Sequence, residues 1–495
     1  MTGSDQSPTV GSLPETTTST PFAPAALTRL VWLLWVASLG ALVARLRLDG
    51  AWTLPGVAAV DGLTVVMWVV VTFFSGIVHS YSRRYMAGSQ HETRFFRRVF
   101  AFTLVVMVLV AADHLVLFLG AWLAMGLLMA DLIGLVRGWP QARAAGALAR
   151  RYFLASSGLL AVALAALWWA TGATTVSGVV ADAAAVPQSL WLVAAGALLL
   201  AAMIQSALVP FHTWLLSSMT APTPASALMH AGFVNAGGVL LVRFAPVVVR
   251  DPDFMLLVTV VGAVSALLGK LLKSVQADVK RQLGCSTVGQ MGFMIVQAGL
   301  GFFGAAITHL ILHGFYKAYQ FLASGGRVEQ TAPSHAAEST DGSRADLLVA
   351  LPTAVAGGAV FALLTGKGTA LDSGLLLALF VVLTTFRATR EIVQHTALPA
   401  TVRFGAVPLL FLPAIAGYAA AYHLVTAALV GLPVVTAPAA LTPVHGAVAA
   451  GFVLAYVAIE TGVYRSSTRL YVALLNAAAP PTDTTLTTTE EYNEY

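Results

Sequence analysis

Runs of roughly 20 apolar residues recur along the chain, separated by short charged or Pro/Gly-rich connections, and this pattern restricts the fold more than any other feature. Backbone N–H and C=O groups crossing hydrocarbon must be paired within their own segment, so each run reads as a bilayer-spanning helix. The runs predict an all-α polytopic membrane protein with about 14 transmembrane helices, its largest partner being the lipid bilayer. Composition agrees: 58% of residues are hydrophobic and 10% charged, with mean hydropathy +0.81. Soluble domains carry about 25% charged residues.

The formal net charge of +5 is gathered in particular connections. Residues 81–98 carry Arg83, Arg84, Arg94, Arg97 and Arg98; residues 137–151 carry Arg137, Arg143, Arg150 and Arg151; and Arg387, Arg390 and Arg403 follow position 386. Residues 172–188 and 425–443 contain no Lys or Arg. This alternation predicts an even number of spans with both termini cytoplasmic, in a cell (inner) membrane, with Arg47 and Arg250 on the unexpected side. Positive charge distributed in this way points to membrane topology, and no nucleic acid is expected as a partner. The single cysteine, Cys285, excludes an intrachain disulfide and a Cys-rich metal centre. No nucleotide, P-loop or HExxH motif occurs, so neither cofactor nor metal is expected.

Five segments are expected: a disordered N-terminal tail over 1–25, a core over 26–324, a polar loop over 325–345, a C-terminal transmembrane bundle over 346–466 and a disordered tail over 479–495. The loop, "GGRVEQTAPSHAAESTDGSRA", has the composition of a linker, with a docking surface as the other reading.

Ionisable residues inside spans are costly and by default functional. In "THLILHGFYKAYQFL", His309, His313 and Lys317 are four residues apart and fall on one helix face, about 12 Å from first to last. Histidine titrates near neutral pH and a buried lysine can exchange its proton, so the stripe reads as a proton ladder. The alternative is histidines bridging helices and a lysine snorkelling to an interface. A second cluster spans 205–238. Pro210, Pro222 and Pro224 interrupt a helix there, which a membrane tolerates where backbone is buried in protein or lines a wet cavity. Gln205, His230 and Asn235 belong to this cluster, and for His212 an interfacial structural role and a functional one stay open. In "GKLLKSVQADVKRQLGCSTVGQMG", a snorkelling basic cluster accounts for most charges, with Lys270 open between a deep and an interfacial place. Glu460 is expected at an interface.

"FHTWLLSSMTAPTPASALMHAG", "ADVKRQLGCSTVGQMGFM" and "HLILHGFYKAYQFLASG", in this order, resemble the antiporter-like, proton-translocating subunits of respiratory complex I and of multisubunit cation/proton antiporters. "HSYSRRYM" and "FLGAWLAMGLL" extend the resemblance over roughly residues 60–325. It implies a ten-helix antiporter-like core with a broken helix near 210–222, and a polar axis in which His230, His309, His313 and Lys317 match proton-path positions. Lys280 matches a basic position of the family. Two positions depart: Leu123 stands where the family has a glutamate, and Gln205 where it has the pairing lysine. Losing both charges is physically coherent, since either alone would be buried and unpaired.

"SALMHAGFVNAGGVLLVRF" is similar to the DabB-type membrane subunit of energy-coupled inorganic carbon pumps. That resemblance implies a heteromeric complex with a large zinc-bearing, β-carbonic-anhydrase-like subunit of DabA type. Ion flow, of protons, would drive vectorial hydration of carbon dioxide to bicarbonate by the partner. The competing expectations are a subunit of a complex I-like or cation/proton antiporter assembly, and a non-conducting membrane anchor.

Overall fold

The computed structural model describes residues 22–48, 52–324, 344–393, 399 and 401–484. The N-terminal tail up to residue 21, the polar loop up to residue 343 and the last residues from 485 lie outside them.

The apolar runs form the helices α1 (Phe22–Arg47), α2 (Gly62–Tyr85), α3 (Glu92–Ala111), α4 (Leu115–Ile133), α5 (Pro140–Thr171) and α6 (Gln188–Gln205). A five-residue helix, α7 (Thr213–Ser217), and two short ones, α8 (Thr223–Ala231) and α9 (Ala236–Arg243), follow. Beyond them lie α10 (Pro252–Ser274), α11 (Val279–Gly299), α12 (Phe303–Leu322), α13 (Arg344–Thr365), α14 (Gly374–Val393), α15 (Val407–Ala428), α16 (Pro443–Glu460) and α17 (Thr468–Ala478). The protein is all-α apart from a small hairpin pairing Trp52–Leu54 with Ala58–Val60.

Among the described residues, ten helices are long and apolar enough to cross a membrane. The helices α3, α11, α12 and α14 have spanning length but stand outside those ten, and each carries charged or polar residues within its run.

Caps and breakers set the boundaries. Asp61 caps α2 through the Thr64 amide, Asp251 caps α10 through Phe254 and Asp278 caps α11 through Arg281. After α6 the chain breaks: Ala207 adopts φ +53°, and Pro210, Pro222 and Pro224 keep residues 206–222 from continuing one helix. Groups freed by the break find partners, as buried backbone must. Trp214 Nε1 donates to the Ile204 carbonyl at 2.9 Å, and the Val209 amide to Ser265 Oγ at 3.2 Å.

Helices α10 and α11 run antiparallel at close range because glycines line their contact. A Cβ at Gly292 would lie 2.4 Å from the Ala266 nitrogen, and one at Gly269 would lie 2.3 Å from the Gly289 nitrogen. This closeness brings Lys270 of α10 to the same cavity as Ser286 and Gln290 of α11.

The C-terminal helices pack on this pair: Phe361, Leu376, Phe380, Tyr422 and Val448 share a core with Ala263, Val296 and Ala305. The short helix α17 then lies across the end of the bundle, burying Leu474 and Ala478 against Leu216, Leu272 and Cys285. Within the segment expected as a tail from 479, Thr482–Thr484 form a 3-10 turn with Thr484 buried. Arg250, misplaced by the charge rule, clamps a loop: its guanidinium donates to the carbonyls of Ala183 and Val186 and lies 5.4 Å from the Trp191 ring.

Candidate functional site

The short helix α8 presents His230 to α11 and α12. His230 is fully buried, its ring stacked on Phe321 at 4.3 Å between centroids. Its Nδ1 lies 2.9 Å from Thr287 Oγ1, and that hydroxyl donates to the Leu283 carbonyl one turn earlier, also at 2.9 Å. The hydroxyl has one proton; with that proton given to Leu283, its oxygen accepts from His230, and Nδ1 is the donor. The Leu283 carbonyl also accepts from Lys317 Nζ at 2.9 Å. His230 and Lys317, 87 positions apart by their numbers, thus meet through one hydroxyl and one carbonyl.

Lys317 has no exposed surface and takes part in no ion pair among the described residues. An ammonium held in the interior by one carbonyl and the Tyr316 ring, with no carboxylate, is a group that can hand its proton on and take it back. One turn along α12, His313 is buried with neither ring nitrogen hydrogen-bonded. One turn further, the His309 ring lies parallel to that of His313, 5.7 Å away. Buried donors and acceptors without partners in a row are what a proton route through ordered water requires.

His309 opens onto a cavity of about 510 Å³ whose wall also holds Lys270, Lys273, Arg387 and Glu391. A charged vestibule therefore adjoins the stripe at His309, and the stripe runs from there along α12 to the Lys317–His230 link. Lys270, half-buried, belongs to this vestibule. Glu460, at the end of α16, pairs with Arg390 at 3.0 Å beside it.

Other expected residues stand apart from this axis. Lys280 is half-buried on the first turn of α11 and shares no hydrogen bond with the ladder. His212 accepts a structural place: its Nε2 lies 2.9 Å from the Ala477 carbonyl, tying α17 to the break. Asn235 donates to the Ala231 carbonyl at 2.8 Å.

Gln205 is fully buried, with neither side-chain amide atom hydrogen-bonded. Leu123 is half-buried, and its neighbour Trp122 takes the inward position, donating to Ser156 Oγ at 3.2 Å while Ser156 donates to the Ala201 carbonyl of α6. Nearby, a cavity of only about 50 Å³ is walled by Phe102, Phe118, Trp122, Met125 and Phe233. The wall of that cavity also holds Asn235 and Arg243, and neither Leu123 nor Gln205 lines it.

Four features escaped the sequence reading. Thr287 sits in a quoted motif without being singled out. Arg243 pairs with Asp61 and donates to the Val110 carbonyl, joining the ends of α9, α2 and α3. Lys367, in the connection after α13, is buried with Nζ 3.0 Å from the centre of the Tyr422 ring, a cation–π contact. Burial pushes its ammonium down to about 7. Arg387 joins Lys270 at the vestibule. A lone lysine in "LLTGKGTALDSG", between two apolar runs, was the signal available for Lys367.

The Thr287 hydroxyl gives one test of this geometry. Thr287→Val keeps the shape and leaves the His230 Nδ1 proton without an acceptor, a loss of about 1–3 kcal/mol for a buried donor. If the His230–Thr287 contact is part of a proton route, proton transfer through the chain should fall about tenfold or more with folded protein retained, and Thr287→Ser should restore most of it. Wild-type rates in Thr287→Val membranes would show that this hydroxyl carries no proton.

A broken helix, an intramembrane His–His–Lys stripe and a charged vestibule define the class: a polytopic helical membrane protein built around buried proton-exchangeable groups. Residues 112–405 match the family described as NADH:quinone oxidoreductase/Mrp antiporter, transmembrane, and residues 50–96 match the N-terminus of NADH-ubiquinone oxidoreductase (complex I) chain 5. The first match covers more than half of the chain, and the chain belongs to that family.

Among similar proteins, "Probable inorganic carbon transporter subunit DabB1" of Halothiobacillus neapolitanus is 41% identical over 285 residues, 56% of this chain and 51% of that one. "Probable inorganic carbon transporter subunit DabB" of Bacillus subtilis is 40% identical over 274 residues, 54% of this chain and 53% of that one. NADH-quinone oxidoreductase subunit L of Mycobacterium tuberculosis is 34% identical over 300 residues, 59% of this chain and 47% of that one. The chain thus spans about half the length of the curated relatives it matches. In fold it is similar to a chain of the Mrp complex from Dietzia sp. DQ12-45-1b, with TM-score 0.57 and 24% identity over 92% of this chain and 50% of that one. It is equally similar to a chain of the archaeal membrane-bound sulfane sulfur reductase, with TM-score 0.57 and 16% identity over 93% of this chain and 92% of that one.

Proposed function

We propose that the chain is the proton-translocating membrane subunit of an energy-coupled complex that accumulates inorganic carbon. The observation carrying the reading is the link from His230 through Thr287 and the Leu283 carbonyl to Lys317, continued by His313 and His309 to the charged vestibule. Protons enter or leave at the vestibule, where Lys270 and Glu391 line the wall, and pass along the ladder by exchange between neighbouring groups. Lys317 is the central exchange residue because it alone on the axis is a buried cation without a carboxylate. Lys280 acts from the first turn of α11, as an electrostatic neighbour of the route.

Similarity to the carbon transporter subunits supports the substrate class. Carbon dioxide crosses bilayers unaided, so accumulation requires its conversion to bicarbonate, and that catalyst is assigned to a large zinc-bearing partner of DabA type. Proton flow through this chain then makes the partner's hydration directional. The complex sits in the cell membrane with both termini of this chain cytoplasmic.

The similarity to NADH-quinone oxidoreductase subunit L favours a second reading, in which the same axis serves a respiratory or antiporter assembly. Native purification without crosslinking separates them. Co-purification of one zinc-containing soluble subunit is expected; a set of dehydrogenase or antiporter subunits in its place would support the second reading.

A further inference from the structure

Beside the His309 cavity lies a second cavity of about 500 Å³, walled by Lys270, Lys273, Arg387, Arg465 and Glu460 together with the amides of Gln276 and Gln282. It lies where the last turns of α10 and α14 meet the end of α16. Glu460 is engaged by Arg390, and none of Lys270, Lys273, Arg387 and Arg465 forms an ion pair among the described residues. With Glu391 on the adjoining wall, five cations face two carboxylates. Cations at helix C-termini complement the helix dipole, and long basic side chains snorkel. Those effects account for each cation singly. They do not account for four cations outside any ion pair among the described residues around one polar cavity, with only Glu391 unpaired on the adjoining wall, where mutual repulsion favours a bound anion.

We propose that this cavity is a binding site for a phosphate-class oxyanion. Two guanidinium groups and two ammonium groups match phosphate oxygens, the guanidinium in bidentate fashion and the ammonium as a point charge. The Gln276 and Gln282 amides each give one N–H to a main-chain carbonyl, of Leu272 and Gln276, and keep a second N–H to donate. The phosphate can come from an acidic lipid headgroup reaching in from the bilayer or from free phosphate in the aqueous phase. Bound there, it would sit beside Lys270 at the mouth of the proton route and set the charge of the vestibule. The inference holds whichever partner the chain has.

The test uses the full-length protein purified in detergent, with phosphatidylglycerol, phosphatidylcholine and inorganic phosphate as separate probes. Native mass spectrometry counts retained lipid, and thermal unfolding reports stabilisation. Lys273→Gln combined with Arg465→Gln removes two cations at half-buried and exposed positions, and Arg465→Lys with Lys273 intact keeps the charge as a control for folding. Wild-type protein should retain phosphatidylglycerol in preference to phosphatidylcholine, and the double variant should bind it at least tenfold more weakly. Stabilisation by millimolar inorganic phosphate, lost in the double variant, would equally support the site and assign the free ion as its source. Binding of both probes by the double variant as by wild type, or by neither protein, would overturn the proposal.

Discussion

On the proposed function, Lys317→Ala is expected to abolish ion-coupled uptake while the chain remains folded in the membrane, the largest functional effect of any single replacement. The side chain is fully buried, and its one hydrogen bond is to the Leu283 carbonyl. Alanine removes the ammonium that donates to the Leu283 carbonyl, the acceptor it shares with Thr287, and so breaks the link from the α12 stripe to His230. Removing a charge without a carboxylate partner strands no opposite charge, so folding should survive better than it does when a buried ion pair is broken. Lys317→Arg should also fail, because a guanidinium does not release its proton under these conditions. Uptake rates normalised to membrane-inserted protein check both variants. Wild-type uptake in Lys317→Ala would remove the ladder from the account.

Gln205→Lys has the largest expected effect on stability. Position 205 ends α6 at the break, has no exposed surface, and offers its side chain no hydrogen-bond partner among the described residues. A lysine there places an uncompensated charge in a tightly packed interior, at a cost of about 3–5 kcal/mol by analogy with broken buried pairs. The yield of folded, monodisperse protein should collapse. Leu123→Glu, at a half-buried position on α4, should cost less. The double replacement should be better tolerated than Gln205→Lys alone, since each charge then has a partner. Equal yields from all three would show that the two positions are not neighbours.

The parts of the site that repeat along one helix were legible. His309, His313 and Lys317 share a face by spacing alone, and parallel rings 5.7 Å apart follow from that periodicity. The break after Gln205 was legible because proline removes a backbone donor and fixes φ. The link from Lys317 to His230 was not, because its central atom is a main-chain carbonyl, and a carbonyl acceptor leaves no trace in residue identity. The vestibule was hidden for a different reason. Lys270 meets Arg387 only through helix packing, and packing at glycine contacts is a property of two surfaces. His212 found its partner 265 residues away and Arg243 found Asp61 182 residues away, separations over which local pattern carries no information.

The helix census shows the same limit. The helix α12 falls outside the ten long apolar helices because His309, His313 and Lys317 lower its hydropathy. Span counts and functional content are therefore in tension along a single sequence. Residues that make a helix worth studying also make it harder to recognise as a span.

The central claim is that an ion gradient passing through this chain drives carbon accumulation by a partner that supplies the chemistry. Accumulation of labelled inorganic carbon, measured in cells carrying this chain, its zinc-bearing partner, or both, with and without an uncoupler, tests it most directly. A proton gradient supplies about 2.3 kcal/mol per charge per 100 mV, so collapsing it removes the driving force. The account predicts accumulation only when both subunits are present, and its loss on adding the uncoupler. Uptake surviving the uncoupler but lost when the sodium gradient is also dissipated would replace the proton by sodium. Accumulation by this chain without any partner, or with every ion gradient collapsed, would contradict the account.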